Sequence, residues 1–457
     1  MAYQTINPAT NEVIETYPNH TEAQIEHALA TAHSLYKSQW SKGPIQPRLK
    51  VLHALADLID SRAEELARMI TSEMGKLLHE SRDEVQIIAA IARYYANNAE
   101  GFLAPVPLVT PHGDASIEHH PIGVLLAVEP WNFPLYQLMR VLAPNLAAGN
   151  TIVSKHASIV PHCAKVFEEL VREAGAPEGA WINLFITSDQ VADIIADKRV
   201  QGAALTGSEG AGSAVAAQAG KYLKKTTLEL GGNDVFIVLE DADIAKAVQS
   251  GAVSRLHNAG QECTGAKRFI VHAKVADAFL EQFTVALQAV QAGDPLDEST
   301  TLAPLSSAPA RDHLAEQVKA AVKAGATLHC GGNVIDRPGN FFEPTILTNI
   351  QRSNPAYFEE FFGPVAQVYV VNSDDEAIEL ANDSNYGLSG VVFSKDIARA
   401  KKLASAIETG AVWINTFSST SPELPFGGVK RSGYGRELSE LGIKEFVNQK
   451  LVLVANA

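Results

Sequence analysis

Cys263 and Glu229 have the side-chain chemistry and the local setting for covalent catalysis at a carbonyl carbon. Cys263 ends the tetrapeptide Gly-Gln-Glu-Cys, and Glu229, 34 residues upstream, begins the tetrapeptide Glu-Leu-Gly-Gly. A thiolate attacks carbonyl carbons, and a carboxylate activates the water that releases the product. A single cysteine is more often a small buried hydrophobic residue, but polar neighbours and the glycines at 260 and 265 favour a reactive thiol here.

A third segment supplies a donor for the oxyanion that forms when a carbonyl group is attacked. Residues 130–134 read Pro-Trp-Asn-Phe-Pro, and they offer an amide N–H at Asn132. Glu229 lies between two leucines, and an apolar setting raises the pKa of a carboxyl group towards the range of a useful general base. The alternative for Glu229 is a structural carboxylate that is paired with a cation.

The composition favours a large globular protein and argues against two classes of partner. The chain has 457 residues, 46% of them hydrophobic, which is enough for two or three domains with sizeable cores. Acidic residues outnumber basic ones by 52 to 37, and the net charge of −15 argues against nucleic acid or an anionic membrane as a partner.

The lack of targeting signals and the small number of cysteines both predict a protein of a reducing compartment. The N-terminus lacks the basic and apolar regions of a signal peptide, and no apolar run reaches the roughly 18 residues of a membrane span. Cys163, Cys263 and Cys330 make no disulfide framework, and no spacing typical of a metal site is present. We therefore expect a cytoplasmic protein without a metal ion.

The elements that must position these residues alternate between strands and helices, which predicts an α/β fold with parallel sheets. Apolar residues recur at helical spacing over 47–76 and again over 80–99, and Gly75 lies where the first helix could end. Beyond residue 121, short apolar runs typical of buried strands are separated by helical segments. The predicted strands cover 123–128, 151–155, 200–205, 227–230 and 235–239, the predicted helices cover 135–148, 163–174 and 207–220, and a second alternating stretch runs from 268 to 412.

Two features at strand ends favour a dinucleotide ligand. Residues 206–212 (Thr-Gly-Ser-Glu-Gly-Ala-Gly) follow a strand and open a helix, where small residues let the backbone approach a phosphate. Lys155 ends another strand, at the edge of an open α/β sheet where ligands bind, and it could reach a ribose hydroxyl or a phosphate. Taken alone, each feature is also compatible with an ordinary strand–helix turn or a surface lysine.

Five blocks of residues resemble the signature blocks of the aldehyde dehydrogenase superfamily, in that family's order and near its spacings. They are Pro-Trp-Asn-Phe-Pro at 130–134, Glu-Leu-Gly-Gly at 229–232, Gly-Gln-Glu-Cys at 260–263, Glu-Phe-Phe-Gly-Pro-Val at 360–365 and Pro-Phe-Gly-Gly at 425–428. The resemblance covers essentially the whole chain, and it implies a Rossmann-like cofactor domain, an α/β catalytic domain and a small β oligomerisation arm. The implied bounds are 1–101 and 122–229 for the cofactor domain, 230–436 for the catalytic domain, and 102–121 with 437–457 for the arm.

The resemblance also implies a role for each matching residue. Cys263 would be the nucleophile, Glu229 the base for deacylation, and Asn132 would form the oxyanion hole with the backbone N–H of Cys263. The residues implied to bind an NAD or NADP cofactor are Lys155 at the adenosine ribose, Ser158 beside it, Gly207 and Ser208 at the pyrophosphate, Glu360 at the nicotinamide ribose, and Phe362 and Trp131 nearby.

Two departures from the family pattern bear on the cofactor and on redox chemistry. The family's usual Lys-Pro-x-Glu is Lys-His-Ala-Ser at 155–158. In the family that acidic residue binds both ribose hydroxyls and repels a 2′-phosphate, whereas Ser158 is neutral and small, so we expect both NAD and NADP to be accepted. The second cysteine that some members carry near the nucleophile is absent, because Thr264 and Gly265 follow Cys263.

Arg140 carries the prediction about the substrate. It lies six residues after Pro134, and it matches an arginine that binds the substrate carboxylate in family members specific for succinate semialdehyde. Ser421 matches a serine that assists this arginine, whereas a second carboxylate-binding arginine of some members is replaced by His257. A four-carbon acid aldehyde demands an arginine–carboxylate contact of this kind. The alternative is that Arg140 forms a structural ion pair.

Together these features predict an enzyme that oxidises succinate semialdehyde to succinate through a thiohemiacetal and a thioester on Cys263. One alternative is a dehydrogenase of an uncharged aliphatic or aromatic aldehyde, which His257 leaves open. A CoA-acylating enzyme is disfavoured because Glu229 is present to serve hydrolysis, and a non-catalytic dinucleotide-binding protein is disfavoured because all three catalytic residues are intact.

Two strand-like segments, 116–120 and 445–454, lie outside the main alternation of strands and helices. Such segments could pair with another subunit, and on that basis we predict a homodimer or a homotetramer. The alternative is that both are edge strands within one chain.

Overall fold

A computed structural model describes residues 3–456, in which strands and helices alternate as the sequence predicts. The strands are β1 (Tyr3–Ile6), β2 (Val13–Tyr17), β3 (Val106–Leu108), β4 (Gly113–Pro121), β5 (Val124–Glu129), β6 (Thr151–His156), β7 (Trp181–Asn183), β8 (Val200–Thr206), β9 (Lys225–Glu229), β10 (Val235–Val238), β11 (Arg268–His272), β12 (Thr327–Cys330), β13 (Thr345–Thr348), β14 (Val365–Val371), β15 (Tyr386–Gly387), β16 (Ser389–Phe393), β17 (Ala411–Ile414), β18 (Val429–Lys430), β19 (Gly433–Tyr434) and β20 (Val447–Ala455).

The helices pack against both faces of the large sheets. They are α1 (Glu22–Lys37), α2 (Gln39–Lys42), α3 (Gln46–Ser61), α4 (Ala63–Met74), α5 (Leu78–Phe102), α6 (Pro134–Ala148), α7 (Pro161–Glu173), α8 (Ser188–Ala196), α9 (Glu209–Lys221), α10 (Ile244–Leu256), α11 (Ala273–Gln288), α12 (Ala308–Lys323), α13 (Asp374–Asn382), α14 (Ile397–Ala406) and α15 (Ser439–Ile443), with 3₁₀ turns at His257–Gly260 and Pro355–Tyr357. Within residues 3–456, none of these helices combines the length and the apolarity needed to cross a bilayer.

The first large sheet has six strands in the order β19-β9-β8-β5-β6-β7, and all of them except β19 run parallel. Its central strands are buried along nearly their whole length, as expected of a parallel sheet that helices cover on both faces. The register pairs Thr206 with Glu229 and Glu129 with His156, so these four strand ends lie along one edge. The α/β class with parallel sheets, predicted from the alternation, is confirmed.

The second large sheet has seven strands in the order β12-β13-β14-β11-β10-β16-β17, and only β12 runs antiparallel to its neighbour. The chain leaves β10, passes through α10 on one face and returns as β11 beside β10. The segment that joins α10 to β11 contains Cys263, so the second sheet supplies the predicted nucleophile.

The two strand-like segments outside the alternation pair with each other within this chain. β4 and β20 form a nine-residue antiparallel ladder from Val447–Pro121 to Ala455–Gly113, and β3 adds a third strand on the far side of β4. Leu451, Leu453 and Val454 on β20 are exposed, although they are large and apolar.

The segment 47–76 is two helices and not the single helix that its apolar spacing predicts. α3 ends at Ser61 and α4 begins at Ala63, with Arg62 between them in a non-helical conformation (φ −111°, ψ 18°). The hydroxyl of Ser61 donates to the carbonyl oxygen of Leu58, which offers the backbone an alternative to a continued helix. The apolar stripe persists across the break because both helices pack on α5, and α4 ends where predicted, at Gly75 (φ 89°).

Candidate active site

The carboxyl edge of the six-stranded sheet collects several of the residues that the sequence predicts for the site. Glu229 is the last residue of β9, and its carbonyl oxygen accepts the N–H of Gly207, which follows β8, at 2.9 Å. Asn132 lies between the end of β5 and the start of α6, and Lys155 is the last residue but one of β6. These residues therefore lie where open α/β sheets bind their ligands.

Cys263 reaches this edge on the segment between α10 and β11. Residues 257–265 form the nucleophile loop, so named because it contains this predicted nucleophile. The loop contains three consecutive residues in the left-handed region: Asn258 (φ 52°), Ala259 (φ 51°) and Gly260 (φ 76°). Only glycine adopts this backbone conformation without a steric cost, so the surroundings of the loop must offset the strain at the other two positions.

Cys263 and Glu229 line the same cavity, and each affects the pKa of the other. Burial raises the pKa of the Glu229 carboxyl group to about 7, although the nearby guanidinium of Arg140 opposes that change. Burial also raises the pKa of the Cys263 thiol well above its ordinary value, and the Glu229 carboxylate adds to the increase. A carboxyl group that titrates near neutrality is thus placed to accept a proton from the thiol.

The side-chain amide of Asn132 is held in one orientation by two hydrogen bonds. Its Nδ2 donates to the carbonyl oxygen of Gln261 at 3.1 Å, and its Oδ1 accepts from Nε2 of Gln137 at 3.3 Å. An amide nitrogen has two N–H groups, and the contacts of the described residues use one of them. The second N–H is available to a ligand in the cavity that Asn132 lines.

Cys263 lines two cavities. The first cavity has a volume of about 400 Å³, and its wall includes Phe133, Tyr136, Gln137, Arg140, His257, Glu262, Phe417 and Phe426. The second cavity has a volume of about 270 Å³, and its wall includes Trp131, Asn132, Gly207, Ser208, Glu229, Gly231, Glu360 and Phe362. It shares three residues with a wider opening of about 590 Å³ at the surface. The thiol thus faces two compartments that can hold two different molecules.

Glu360 joins the second cavity to the nucleophile loop. One of its carboxylate oxygens lies 3.0 Å from Nζ of the buried Lys267, which also donates to the carbonyl oxygen of Cys263 at 2.6 Å. A Cβ atom on Gly231 would come within 2.3 Å of the other carboxylate oxygen, so a side chain at this position would displace the Glu360 carboxylate. The ring of Phe362 packs edge-on against Trp131, with 5.8 Å between their centroids.

Lys155 and Ser158 lie at the same sheet edge but outside both cavities. Lys155 is mostly buried, with its ammonium 5.8 Å from the ring centroid of Tyr3, and burial lowers its pKa. Ser158 is half-buried in the turn after β6. Only β5 separates β6 from β8, so Ser158 and the start of α9 are about 10 Å apart in the sheet direction at ordinary strand spacing. A dinucleotide with its phosphates at Gly207 can bridge that gap.

Arg140 takes part in a buried ion pair. Its side chain is only 1% exposed, and its Nε lies 2.6 Å from a carboxylate oxygen of Glu437. Its Nη2 donates to the hydroxyl of Thr206 at 3.2 Å and lies 3.7 Å from Glu229. This arrangement corresponds to the structural ion pair that the sequence left open as the alternative, and it brings Arg140 close to the predicted base.

The guanidinium of Arg140 is also part of the wall of the first cavity. It is sandwiched between the rings of Tyr136 and Phe426, at 4.8 and 4.7 Å from their centroids. Its Nη1 makes only a long contact of 3.5 Å, to the hydroxyl of Tyr136. Nη1 is therefore the donor that an additional anion in the cavity could engage.

Ser421, the predicted assistant of Arg140, follows directly after the residues 417–420 that line the first cavity. Its hydroxyl lowers the pKa of the nearby Glu423 carboxyl group. The hydroxyls of Ser419 and Thr420 line the cavity, and that of Thr420 lies 2.7 Å from the hydroxyl of Tyr136. The role of Ser421 as the residue that assists Arg140 stays a prediction.

His257 lies in the wall of the first cavity, stacked on Phe133 with 5.8 Å between the ring centroids. Its Nδ1 is 3.1 Å from a carboxylate oxygen of Glu262. Burial disfavours the charged ring, but the hydrogen bond and the charge of Glu262 outweigh burial and raise the pKa of His257 to about 9. The ring is therefore a cation at neutral pH.

Sequence reasoning missed three residues that shape this site: the buried Asn258 and Lys267, and the partly buried Glu437. One of them had a usable signal. Lys267 directly precedes the apolar strand β11, which is an unusual place for a cation unless it has a partner. Nothing in the sequence marked Asn258 or Glu437.

Comparison with known proteins identifies the family. A family model described as "Aldehyde dehydrogenase family" matches residues 1–452. The succinate-semialdehyde dehydrogenase [NADP(+)] of Deinococcus radiodurans is 47% identical over 450 residues, which cover 98% of this chain and 94% of the relative. The enzyme of the same name from Mycolicibacterium paratuberculosis is 44% identical over 460 residues, covering 100% of this chain and 98% of the relative.

Solved structures give the same result. The crystal structure of succinic semialdehyde dehydrogenase from Streptococcus pyogenes in complex with NADP⁺ superposes with a TM-score of 0.98. It is 52% identical, and the match covers 100% of both chains. Betaine aldehyde dehydrogenase from Staphylococcus aureus in complex with NAD⁺ superposes with a TM-score of 0.96 at 34% identity, covering 100% of this chain and 94% of that one.

Proposed function

This chain belongs to the aldehyde dehydrogenase family, and we propose that it oxidises succinate semialdehyde to succinate with NADP⁺, and also with NAD⁺, as the oxidant. One observation carries the chemistry: Cys263 and Glu229 line the same cavity together with Asn132, while Cys263 also lines the first cavity. The activity named for the full-length relatives and the cofactor in the streptococcal structure support the choice of substrate and oxidant.

The second cavity suits the nicotinamide end of a dinucleotide. Gly231 leaves room for the Glu360 carboxylate beside this cavity, where Glu360 would hold the nicotinamide ribose. Gly207 and Ser208, at the start of α9, would bind the pyrophosphate, because a helix N-terminus favours an anion. Lys155 and the neutral Ser158 would hold the adenosine ribose and tolerate a 2′-phosphate. When bound, the nicotinamide ring accepts a hydride.

Cys263 is the nucleophile in this proposal. Glu229 takes the thiol proton, and Sγ forms a bond to the aldehyde carbon, so that the carbonyl oxygen becomes an oxyanion. The second N–H of Asn132 and the backbone N–H of Cys263 donate to that oxygen and stabilise it. Hydride loss from the same carbon leaves a thioester on Cys263.

Glu229 then serves the second half of the reaction. Once it has released the thiol proton, its carboxylate removes a proton from water, and the oxygen of that water attacks the thioester carbon. The C–S bond breaks, succinate leaves and Cys263 is regenerated. A pKa of about 7 suits a group that must accept and release a proton in each turnover.

The first cavity provides two cations for the distal carboxylate of the substrate. Arg140 presents Nη1, and His257 presents a charged ring that Glu262 orients. The hydroxyls of Ser419 and Thr420, which line the cavity, and that of the adjacent Ser421 are the neutral donors in this part of the proposal. A buried site with such donors favours an aldehyde that carries a carboxylate over an otherwise similar aldehyde without one.

A second candidate function, oxidation of an uncharged aldehyde, is favoured by one observation. Arg140 already has a carboxylate partner, Glu437, at 2.6 Å, and His257 has Glu262 at 3.1 Å. A substrate carboxylate would have to share both cations with these partners. An aromatic wall that includes Phe133, Tyr136 and Phe417 would also accommodate an uncharged chain.

The domain bounds and the assembly are further proposals. The six-, seven- and three-stranded sheets support, respectively, a cofactor domain of 1–101 and 122–229, a catalytic domain of 230–436 and an arm of 102–121 and 437–457. Among the described strands, β19 departs from this division, because it lies in the catalytic segment but pairs with β9 in the six-stranded sheet. The exposed apolar side chains on β20 support a homodimer or a homotetramer that forms through the arm.

The experiment that tests the proposed function is a matrix of aldehydes and cofactors. Succinate semialdehyde, butanal and benzaldehyde are each assayed for reduced cofactor with NADP⁺ and with NAD⁺. We expect the highest kcat/KM with succinate semialdehyde, activity with both cofactors, and none in Cys263→Ala. A preference for butanal would favour the second candidate, and activity in Cys263→Ala would overturn the mechanism.

Two variants of Ser158 test the cofactor part of the proposal in the same assay. Ser158→Glu places a carboxylate beside the 2′-phosphate and should weaken NADP⁺ selectively, by about tenfold or more. Ser158→Ala is the matched control, because it removes the hydroxyl without adding a charge. An unchanged ratio of NADP⁺ to NAD⁺ activity in Ser158→Glu would place the 2′-phosphate elsewhere.

A further inference from the structure

Asn258 occupies an unusual position at the start of the nucleophile loop. Its backbone is left-handed (φ 52°, ψ 36°), and it is followed by Ala259 in nearly the same conformation (φ 51°, ψ 32°). Asparagine tolerates this region better than most residues, because its short polar side chain can form local hydrogen bonds. The side chain is completely buried, and it is not part of the wall of either cavity at Cys263. Asn258 therefore acts on the site through other residues.

The amide of Asn258 connects the two loops that carry the predicted catalytic groups. Its Nδ2 donates to the backbone carbonyl oxygen of Asn132 at 2.8 Å and to that of Gln261 at 3.3 Å. The side-chain Nδ2 of Asn132 donates to the same carbonyl oxygen of Gln261 at 3.1 Å. The carbonyl oxygen of Gln261, two residues before Cys263, thus accepts a hydrogen bond from the side-chain amide of Asn132 and another from that of Asn258.

This junction is anchored on two further sides. The backbone N–H of Asn258 donates to a carboxylate oxygen of Glu80, on α5, at 2.9 Å, and the other oxygen of Glu80 accepts the N–H of Leu77. The side chain of Gln261 donates to the carbonyl oxygen of Asn258 at 3.0 Å and accepts the N–H of Ser306 at 2.8 Å. These contacts hold the strained backbone in place and fix the Asn258 amide.

We propose that Asn258 is a positioning residue that ties the main chain of Asn132 to the nucleophile loop, and so fixes the distance between the oxyanion-binding N–H and Sγ of Cys263. The inference rests on the proposed function, since it takes Cys263 as the nucleophile and Asn132 as the oxyanion donor. Without the Asn258 amide, the main chain of Asn132 loses its bond to the nucleophile loop, and the weaker bond from Nδ2 of Asn132 to the carbonyl oxygen of Gln261 is the contact that remains between them.

Two reactions of the same thiol separate this role from a general structural one. Hydride formation in the first turnover passes through an oxyanion, whereas alkylation of Cys263 by iodoacetamide forms no oxyanion. Asn258→Gly retains the left-handed backbone and removes only the amide. We expect it to slow first-turnover NADPH formation from succinate semialdehyde about 10- to 100-fold, which is less than the roughly 100- to 1,000-fold typical of removing an oxyanion donor itself. The alkylation rate and the binding of NADP⁺ should change little.

Asn258→Asp is a second test with the same readouts. It preserves the shape of the side chain but points an acceptor at two carbonyl oxygens, so it should slow NADPH formation at least as much as Asn258→Gly. Asn349→Gly is the matched control, because Asn349 is also a left-handed asparagine (φ 55°) but lies on the surface. It should leave both reactions unchanged.

A double-mutant cycle distinguishes failure of this inference from failure of the proposed function. If Asn258 acts through Asn132, Asn132→Ala with Asn258→Gly should be no slower than Asn132→Ala alone. Independent, multiplying losses would overturn the inference, as would equal losses of NADPH formation and alkylation in both Asn258 variants, or full activity in Asn258→Gly. Activity that survives in Cys263→Ala, or an undiminished rate in Asn132→Ala, would instead overturn the proposed function.

Discussion

At the scale of single residues, burial makes Glu229 a base whose charge state changes near neutral pH. Its pKa is raised to about 7, chiefly by burial, and Arg140 keeps it from rising further. Glu229 can accept a proton from water only when it is ionised. The rate of thioester hydrolysis should therefore be full above pH 7 and should fall about tenfold per pH unit as the pH drops below it.

The check on this prediction is the pH dependence of kcat under conditions in which hydrolysis limits turnover. Glu229→Gln should lose most of the rate and should also lose the acidic limb of the profile. A variant that retains the same acidic limb would assign that limb to another group.

Arg140 is expected to discriminate between aldehydes by charge. Removing a hydrogen-bonded charged partner typically costs about 1.5–3 kcal/mol, or roughly 10- to 150-fold. The loss of kcat/KM in Arg140→Ala should therefore be larger, by this factor, for succinate semialdehyde than for butanal, which has no carboxylate. The ratio of the two losses is the informative quantity, because the substitution also leaves Glu437 without its ion-pair partner and thus slows both reactions.

Arg140→Lys controls for the loss of positive charge, since a lysine keeps the charge but not the planar donor geometry. Equal losses of kcat/KM on the two aldehydes in Arg140→Ala would leave Arg140 with a structural role and would favour the uncharged-aldehyde candidate.

Residues inside contiguous family blocks could be predicted from the sequence, because the block fixes both the residue type and its place on a strand end or loop. Cys263, Glu229 and Glu360 are of this kind, and the structure brings them together. The pairing of Arg140 with Glu437 could not be predicted, because it joins residues nearly 300 positions apart whose side chains meet only in the folded chain.

At the scale of elements, Glu84 links α5 to the helix that follows Asn132. Glu84 and Lys76 are both completely buried and lie 2.6 Å apart, and the second oxygen of Glu84 accepts the N–H groups of Leu135 and Tyr136 in the first turn of α6. Glu84→Ala should destabilise the protein by about 3–5 kcal/mol, because it leaves Lys76 as an unpaired buried charge.

The midpoint of thermal unfolding measures this effect. Glu65→Ala is the control: its pair with Arg62 has the same 2.6 Å separation, but the Glu65 side chain is 61% exposed, so the loss should be about 1 kcal/mol or less. Similar midpoints for the two variants would mean that the buried pair contributes little to stability.

The elements themselves were largely predictable, because alternating apolar runs and helical stripes follow directly from burial on two faces of a parallel sheet. The break at Arg62 was not, since the apolar stripe of α3 and α4 continues across it and only local hydrogen bonds interrupt the helix. The sequence also did not predict which strand pairs with β20, because an edge strand has the same pattern whether it pairs with its own chain or with another.

At the scale of the whole molecule, the three-stranded sheet is expected to mediate assembly. Leu451, Leu453 and Val454 expose apolar surface on its outer strand, which a monomer would leave in contact with water. We predict a homodimer or a homotetramer at micromolar concentration, measured by light scattering. Replacing Leu451 and Leu453 with lysine should lower the measured mass, whereas the same changes at the exposed Val285 and Val253 should not. A wild-type mass of one chain would contradict the prediction.

The central claim, that Cys263 carries the acyl group of succinate and Glu229 releases it, is tested most directly by trapping the intermediate. Glu229→Gln is mixed with succinate semialdehyde and NADP⁺, quenched after the first burst of NADPH and analysed by intact-mass and peptide mass spectrometry. We predict one succinyl group per chain, on the peptide that contains Cys263, in an amount equal to the NADPH burst. NADPH formation without an adduct on Cys263, or an adduct on another residue, would contradict the account.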